Sequence, residues 1–365
     1  MSRRIALASD NWSPTHPDLL AALAAANDGP APAYGSDGWS AGAAKAFRAE
    51  FGPRVRVYPT FGGTGANTVA LAASLTGAHE AVVCAADSHV LTDEAGALAR
   101  FAGASLVSVA TDDGMLDIGS LEAALRPFVR GEHQVRPTVV TLANATETGR
   151  VYDADQVREL ADWAHARDLL VHLDGARLAN AAVHEGASLR DLSIGAGVDV
   201  LTLGGAKNGM MFGEAVVVAS RARVPDLRVR HVRKQAGQLA SKQRYIGAQF
   251  HHYLQAGLWR ANAERANEAA RRLAEGLAEL PGARLAFPVE ANLVFVDLSV
   301  RIRAALADIA DFHVYDEDSG RCRLVCSYDT DPADIAEFLA VATAAATTRR
   351  RRPAATRPTP RGANA

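Results

Sequence analysis

Leu169-Leu170-Val171-His172-Leu173-Asp174-Gly175-Ala176-Arg177 and Val200-Leu201-Thr202-Leu203-Gly204-Gly205-Ala206-Lys207-Asn208-Gly209 share one pattern: an apolar run that ends abruptly in small and charged residues. Runs with little polar alternation are expected of strands covered by helices on both faces. The pattern recurs at 54–58, 81–84, 105–109, 138–142 and 214–218. Helical stretches at 68–75, 94–101, 121–129 and 154–167 fall between the runs. Asp153 stands where the last of these needs an N-cap, with Gln156 at capping-box spacing. Strand and helix in alternation predict an α/β domain with a mostly parallel, doubly wound sheet. Ligands of such sheets bind at the carboxyl ends of the strands, so the residues that close each run are the ones to question.

Beyond Arg244 the character changes. Residues 245–280 read as long Ala-rich helices, with Leu273, Leu277 and Leu280 on one stripe, until Pro281-Gly282 stops them. A strand at 292–298, a helix at 301–309, strands at 312–315 and 321–327 and a helix at 332–345 predict a smaller α+β domain. The expected divisions are an N-terminal segment (1–40), a large domain (41–245), a small domain (246–346) and a basic tail (347–365).

That tail carries Arg349, Arg350, Arg351, Arg352, Arg357 and Arg361, mixed with Pro, Thr and Ala, and is expected to be disordered. The formal net charge is -2, so the rest of the chain stands near -8 without those six arginines, which argues against a nucleic-acid partner. No apolar run is long enough to span a bilayer and no signal-like segment opens the chain, so a cytoplasmic location is expected. Cys84, Cys322 and Cys326 are expected to be reduced, half-buried thiols. The histidines form no metal-ligand pattern, and His251-His252 reads as a helix-surface or interface pair.

Five segments carry candidate chemistry. Thr60-Phe61-Gly62-Gly63-Thr64-Gly65-Ala66-Asn67 lies between a strand and a helix, where bare backbone and a helix N-terminus suit a phosphate. It imitates a dinucleotide fingerprint, so an NAD-binding oxidoreductase is an alternative; the third glycine is missing and only Asp87 is at hand for a ribose. Asp174 brings a carboxylate to a buried strand end, where a cation must meet it, Arg177 or a cationic ring nitrogen. Lys207 follows two glycines and an alanine, which leave room for something bulky on its amine. A phosphate cradle, an acid and a lysine in this order are what a pyridoxal-phosphate (PLP) site requires. His89, beside Asp87 and Ser88, is placed to stack on a ring or to move protons. Arg321 and Arg323 share a strand face, and either suits a substrate carboxylate.

With these segments in view, the chain up to about residue 345 resembles the low-specificity L-threonine aldolases, which are fold-type-I PLP enzymes. The resemblance lies in Leu7-Ala8-Ser9-Asp10, Ala33-Tyr34-Gly35-Ser36-Asp37, Gly63-Thr64-Gly65-Ala66-Asn67, Ser88-His89, Glu94-Ala95-Gly96, Asp174-Gly175-Ala176-Arg177, Gly205-Ala206-Lys207-Asn208-Gly209 and Arg323-Leu324-Val325. It implies that Lys207 carries the cofactor as a Schiff base and that Asp174 binds the pyridine nitrogen. It also implies that Arg177 meets the phenolic oxygen, that Gly63 and Thr64 hold the phosphate, and that His89 stacks on the ring. Ser9 and Arg323 would bind the substrate carboxylate, with the N-terminal segment contributing to the site and the small domain. A dimer or tetramer is implied, with Lys234 and Lys242 reaching a neighbour's phosphate. The implied reaction is cleavage of β-hydroxy-α-amino acids to glycine and an aldehyde, with β-elimination or transaldol transfer as variants of the same chemistry. In one respect the chain departs from the family. The place of a second active-site histidine falls on Thr146, or on Glu147 after a one-residue length difference, which leaves His89 to take the hydroxyl proton.

Overall fold

The computed structural model describes residues 3–347; the expectation of disorder beyond that point lies outside the described residues. A seven-stranded sheet runs in the order Arg56–Thr60, Glu214–Val218, Val200–Gly204, Leu170–Gly175, Arg136–Ala143, Glu80–Ala85, Ser105–Val109. Glu214–Val218 is antiparallel to both its neighbours and the other pairings are parallel. Each apolar run of the sequence is therefore a strand; Glu80–Ala85, Val200–Gly204 and Glu214–Val218 are buried on both faces, as their lack of alternation requires, while the edge strand Ser105–Val109 is largely open.

Successive residues of Glu214–Val218 divide between two cores, as a period of two demands. Ala215 and Val217 join Leu173, Leu201 and the helix Ala154–His165 on one side. Val216 and Val218 join Val200 and the helix Gly63–Ser74 on the other. Asp153 and Gln156 form the expected capping box at the start of the first of these helices.

Several boundaries differ from expectation for local reasons. The helix expected at 68–75 starts at Gly63, because glycines read as loop form its first turn. The helix expected at 121–129 is Ile118–Leu125: an Asp117–Ser120 capping box starts it early, and Pro127 cannot continue it. Only Ala97–Ala102 remains of the helix expected at 94–101, after the single turn His89–Thr92. The run 245–280 is two helices, Arg244–Gln255 and Leu258–Ala278, separated at Gly257 with φ 65°.

The second sheet is antiparallel, in the order His313–Asp316, Arg321–Val325, Leu293–Leu298, Ala283–Leu285. Its last strand was not anticipated, since three residues after Pro281-Gly282 carry no period. The N-terminus joins this lobe: Ile5–Ala6 pairs with Ala310–Asp311, and Ile5 and Leu7 pack with Leu273, Leu277 and Phe338. All three cysteines are free and fully buried, deeper than the half-burial expected.

Candidate active site

A cleft of about 580 Å³ opens at the carboxyl ends of the parallel strands, a usual size for a small-molecule site. Asp174 closes one strand and Thr202, its register partner, sits on the next, so the loop that follows brings Lys207 to the same cleft. The two turns interlock through glycine. A Cβ on Gly204 would stand 2.4 Å from the Ala176 carbonyl oxygen, and one on Gly175 would stand 2.7 Å from the Thr202 oxygen. Any larger residue at either point would push the Asp174 and Lys207 turns apart.

Asp174 accepts from Asn67 Nδ2 at 2.7 Å and from the Ala176 N–H at 2.9 Å. Among the described residues no cation lies within ion-pair distance of it. The Lys207 amine likewise makes no hydrogen bond to the described residues. Its pKa is lowered, first by the nearby Arg177 charge and then by burial, against the raising influence of Asp10, Asp174 and Glu214. Behind it Glu214 accepts from the Gly205 N–H at 3.0 Å, and burial pushes its carboxyl up to about 8.

Asp174 and Arg177, weighed in the sequence as partners, do not pair. Arg177 is engaged by Asp10, through Nε to Oδ2 at 2.7 Å and Nη2 to Oδ1 at 3.0 Å. Burial alone would raise the Asp10 pKa, but the charges of Arg177 and Lys207 override it and lower it. Removing one member of such a buried pair costs roughly 3–5 kcal/mol. The sequence offered no signal for this pair beyond the quoted Ser9-Asp10 segment, because the two residues lie far apart in the chain.

His89 also finds an unanticipated partner, Glu94 rather than Asp87, at 3.0 Å from Nδ1 to Oε1. Glu94 is fully buried and also accepts from Asn67 Nδ2 at 2.9 Å, so one asparagine ties the histidine's partner to Asp174. The hydrogen bond to Glu94 raises the His89 pKa and burial opposes it.

Ser9, Gly63 and Arg323 complete the cleft wall. The spacing of Arg321 and Arg323 could not separate the two, but their partners do. Arg321 donates to Asp297 from Nε at 2.8 Å and lies over the Phe287 ring. Arg323 faces the cleft with a buried, unpartnered Nε, and burial lowers its pKa. Thr64 belongs to the first turn of Gly63–Ser74 without lining the cleft, and the Gly63, Thr64 and Gly65 amides have no helical partner there. Lys234 and Lys242 are exposed and outside the cleft, and Lys234 lies over the Tyr34 ring at 5.1 Å.

Comparison with known proteins identifies this arrangement. Residues 6–301 match the model of the beta-eliminating lyase family. The chain belongs to that family. It is 43% identical, over 91% of its length and 95% of the relative's, to the low specificity L-threonine aldolase of Pseudomonas aeruginosa. A Pseudomonas sp. enzyme of the same name is 40% identical over 91% and 95% of the two chains. Among solved structures, a Leishmania major threonine aldolase superposes with TM-score 0.86 at 30% identity, covering 93% of this chain and 98% of that one. A Thermus thermophilus aspartate aminotransferase shares the fold, with TM-score 0.68 at 20% identity over 94% and 91% of the chains. This member of the family thus has the fold-type-I architecture, a large α/β lobe with a smaller antiparallel lobe.

The cleft passes a chemical test for PLP. It holds a half-buried carboxylate without a counter-cation and a partly desolvated amine without a partner among the described residues, and a helix start with free amides. Each finds its complement in one part of that cofactor: ring nitrogen, aldehyde and phosphate.

Proposed function

We propose that the chain is a PLP-dependent aldolase that cleaves L-threonine, L-allo-threonine or related β-hydroxy-α-amino acids to glycine and an aldehyde. The observation that carries this reading is the placement of Asp174 and Lys207 on one cleft, at adjacent strand ends, with neither charge neutralised by an ion pair. The names of its relatives agree with it.

When bound, the cofactor supplies an electron sink for the pair released from Cα as the Cα–Cβ bond breaks. Lys207 would hold its aldehyde carbon, and Asp174, which accepts from Asn67 and the Ala176 N–H, would keep the proton on its ring nitrogen. Arg177, whose Nε and Nη2 are taken by Asp10, would offer its remaining donor to the phenolic oxygen. Gly63 and Thr64 would hold the phosphate with their free amides. His89, on the cleft wall, would stack on the ring. Arg323, with Ser9, would take the substrate carboxylate and so orient the bond at Cα that is to break.

In this reading residues 41–245 form the cofactor-binding domain, 246–346 the small domain, and 1–40 a strap shared by both. It expects a cytoplasmic protein and a homo-oligomer, the latter because Trp12, Tyr34, Phe61 and Met211 leave large apolar groups exposed that a second copy would cover. Lys234 and Lys242 would then approach a neighbour's phosphate.

Incubation with L-threonine or L-phenylserine tests the activity. Equimolar aldehyde and glycine are expected; pyruvate and ammonia would point to β-elimination instead. A colourless protein that binds NADH would contradict the reading altogether.

A further inference from the structure

We propose that the Glu147 carboxylate, rather than His89, removes the proton from the substrate's β-hydroxyl. The inference deepens the aldolase reading and rests on it.

Sequence alone put the place of the second histidine that the resemblance implies on Thr146, with Glu147 as the alternative after a one-residue length difference. Their contacts separate them. The Thr146 hydroxyl is consumed by its own turn: it donates to the Asp113 carbonyl at 3.2 Å, lies 3.0 Å from the Thr148 hydroxyl, and accepts from the Arg150 N–H at 3.1 Å. Glu147 instead lines the cleft, in the loop after strand Arg136–Ala143, whose Ala143 is the register partner of Asp174. Its Oε1 accepts from the His89 N–H at 2.8 Å. Among the described residues no group bonds Oε2, so one oxygen is anchored and the other is available. Burial, aided by Asp174, raises this carboxyl to about 7; Asp87 pushes the same way, while the His89 N–H and Arg177 oppose it. A base poised near neutrality transfers protons well in both directions.

His89 is arranged differently. Its Nδ1 is held on the buried Glu94, which itself is held by Asn67. A ring clamped along that edge is fixed in plane, as stacking requires, and the carboxylate keeps its proton on to higher pH. That combination describes a wall better than a base.

The step balances on the chain's own group. Glu147 takes the hydroxyl proton, the oxygen's electron pair forms the aldehyde C=O, and the Cα–Cβ pair is left at Cα. Protonation of Cα then gives glycine, so one proton leaves oxygen and one arrives at carbon.

The test uses the holoenzyme and Glu147→Gln, in which the amide oxygen still accepts the His89 N–H. Cleavage of L-threonine, read as kcat/KM, is expected to fall on the order of 100-fold or more. The acid limb near pH 7 should vanish with it, because only the deprotonated carboxyl accepts a proton. Exchange of the glycine α-proton with deuterium oxide, and the absorption change on adding glycine, need no hydroxyl proton and should match wild type. Glu147→His should restore part of the cleavage. Near-normal cleavage by Glu147→Gln, or a parallel loss of glycine exchange, overturns the assignment. If wild type itself neither cleaves threonine nor exchanges glycine, the aldolase reading fails first.

Discussion

Charges on the helix Leu258–Ala278 close on one another, whereas those at the carboxyl end of the central sheet are left open. On the helix, Glu268 accepts from Arg271 at 2.8 Å and from Arg272 at 2.6 Å, all in solvent. In the cleft, Asp174, Lys207 and Arg323 are half-buried yet lack ionic partners among the described residues. Exposed pairs gain little because water screens them. Unpaired charges in a cleft are costly and persist where a ligand completes them. The contrast separates decoration from machinery, and substitutions in the two regions should behave accordingly.

The largest effect is expected of Lys207→Ala, which should abolish both colour and threonine cleavage; retained turnover would end the comparison at its strongest point. Asp174→Asn should keep some colour but lower turnover on the order of 10²–10³-fold, the usual cost of deleting one preorganised electrostatic contact. Arg323→Gln should raise KM for threonine roughly tenfold to hundredfold, since a hydrogen bond to a charged group contributes about 1.5–3 kcal/mol. The companion Arg321→Gln sharpens the point: its partner is Asp297, so KM should hardly move. Smallest of all, Glu268→Ala should leave turnover unchanged and the melting temperature almost where it was.

Much of this was legible in the chain itself, and the reason is physical. A strand buried on both faces must be apolar throughout, so its end is marked wherever a charged or small residue interrupts the run. Asp174 and Lys207 stand at such marks. Partners were harder to see, because they depend on chain segments that only folding brings together. Asp10 meets Arg177 from the N-terminus, Glu94 meets His89 across a broken helix, and Glu214 looked like an ordinary strand start before its place behind Lys207 was known. Where pattern was weak, as at Ala283–Leu285 or at the glycine-rich start of Gly63–Ser74, boundaries were missed or displaced. Arg323 shows the middle case: the strand face was readable, but its free Nε emerged only when Asp297 was seen to occupy Arg321.

The decisive question for this cleft is which amine bonds the cofactor. The chain has four lysines, Lys45, Lys207, Lys234 and Lys242, and of these only Lys207 lines the cleft. Borohydride reduction of the purified holoenzyme, followed by peptide mass mapping, should bleach a yellow protein and leave one pyridoxyl group, on Lys207. A label on Lys45, Lys234 or Lys242, or none from a colourless protein, would contradict it.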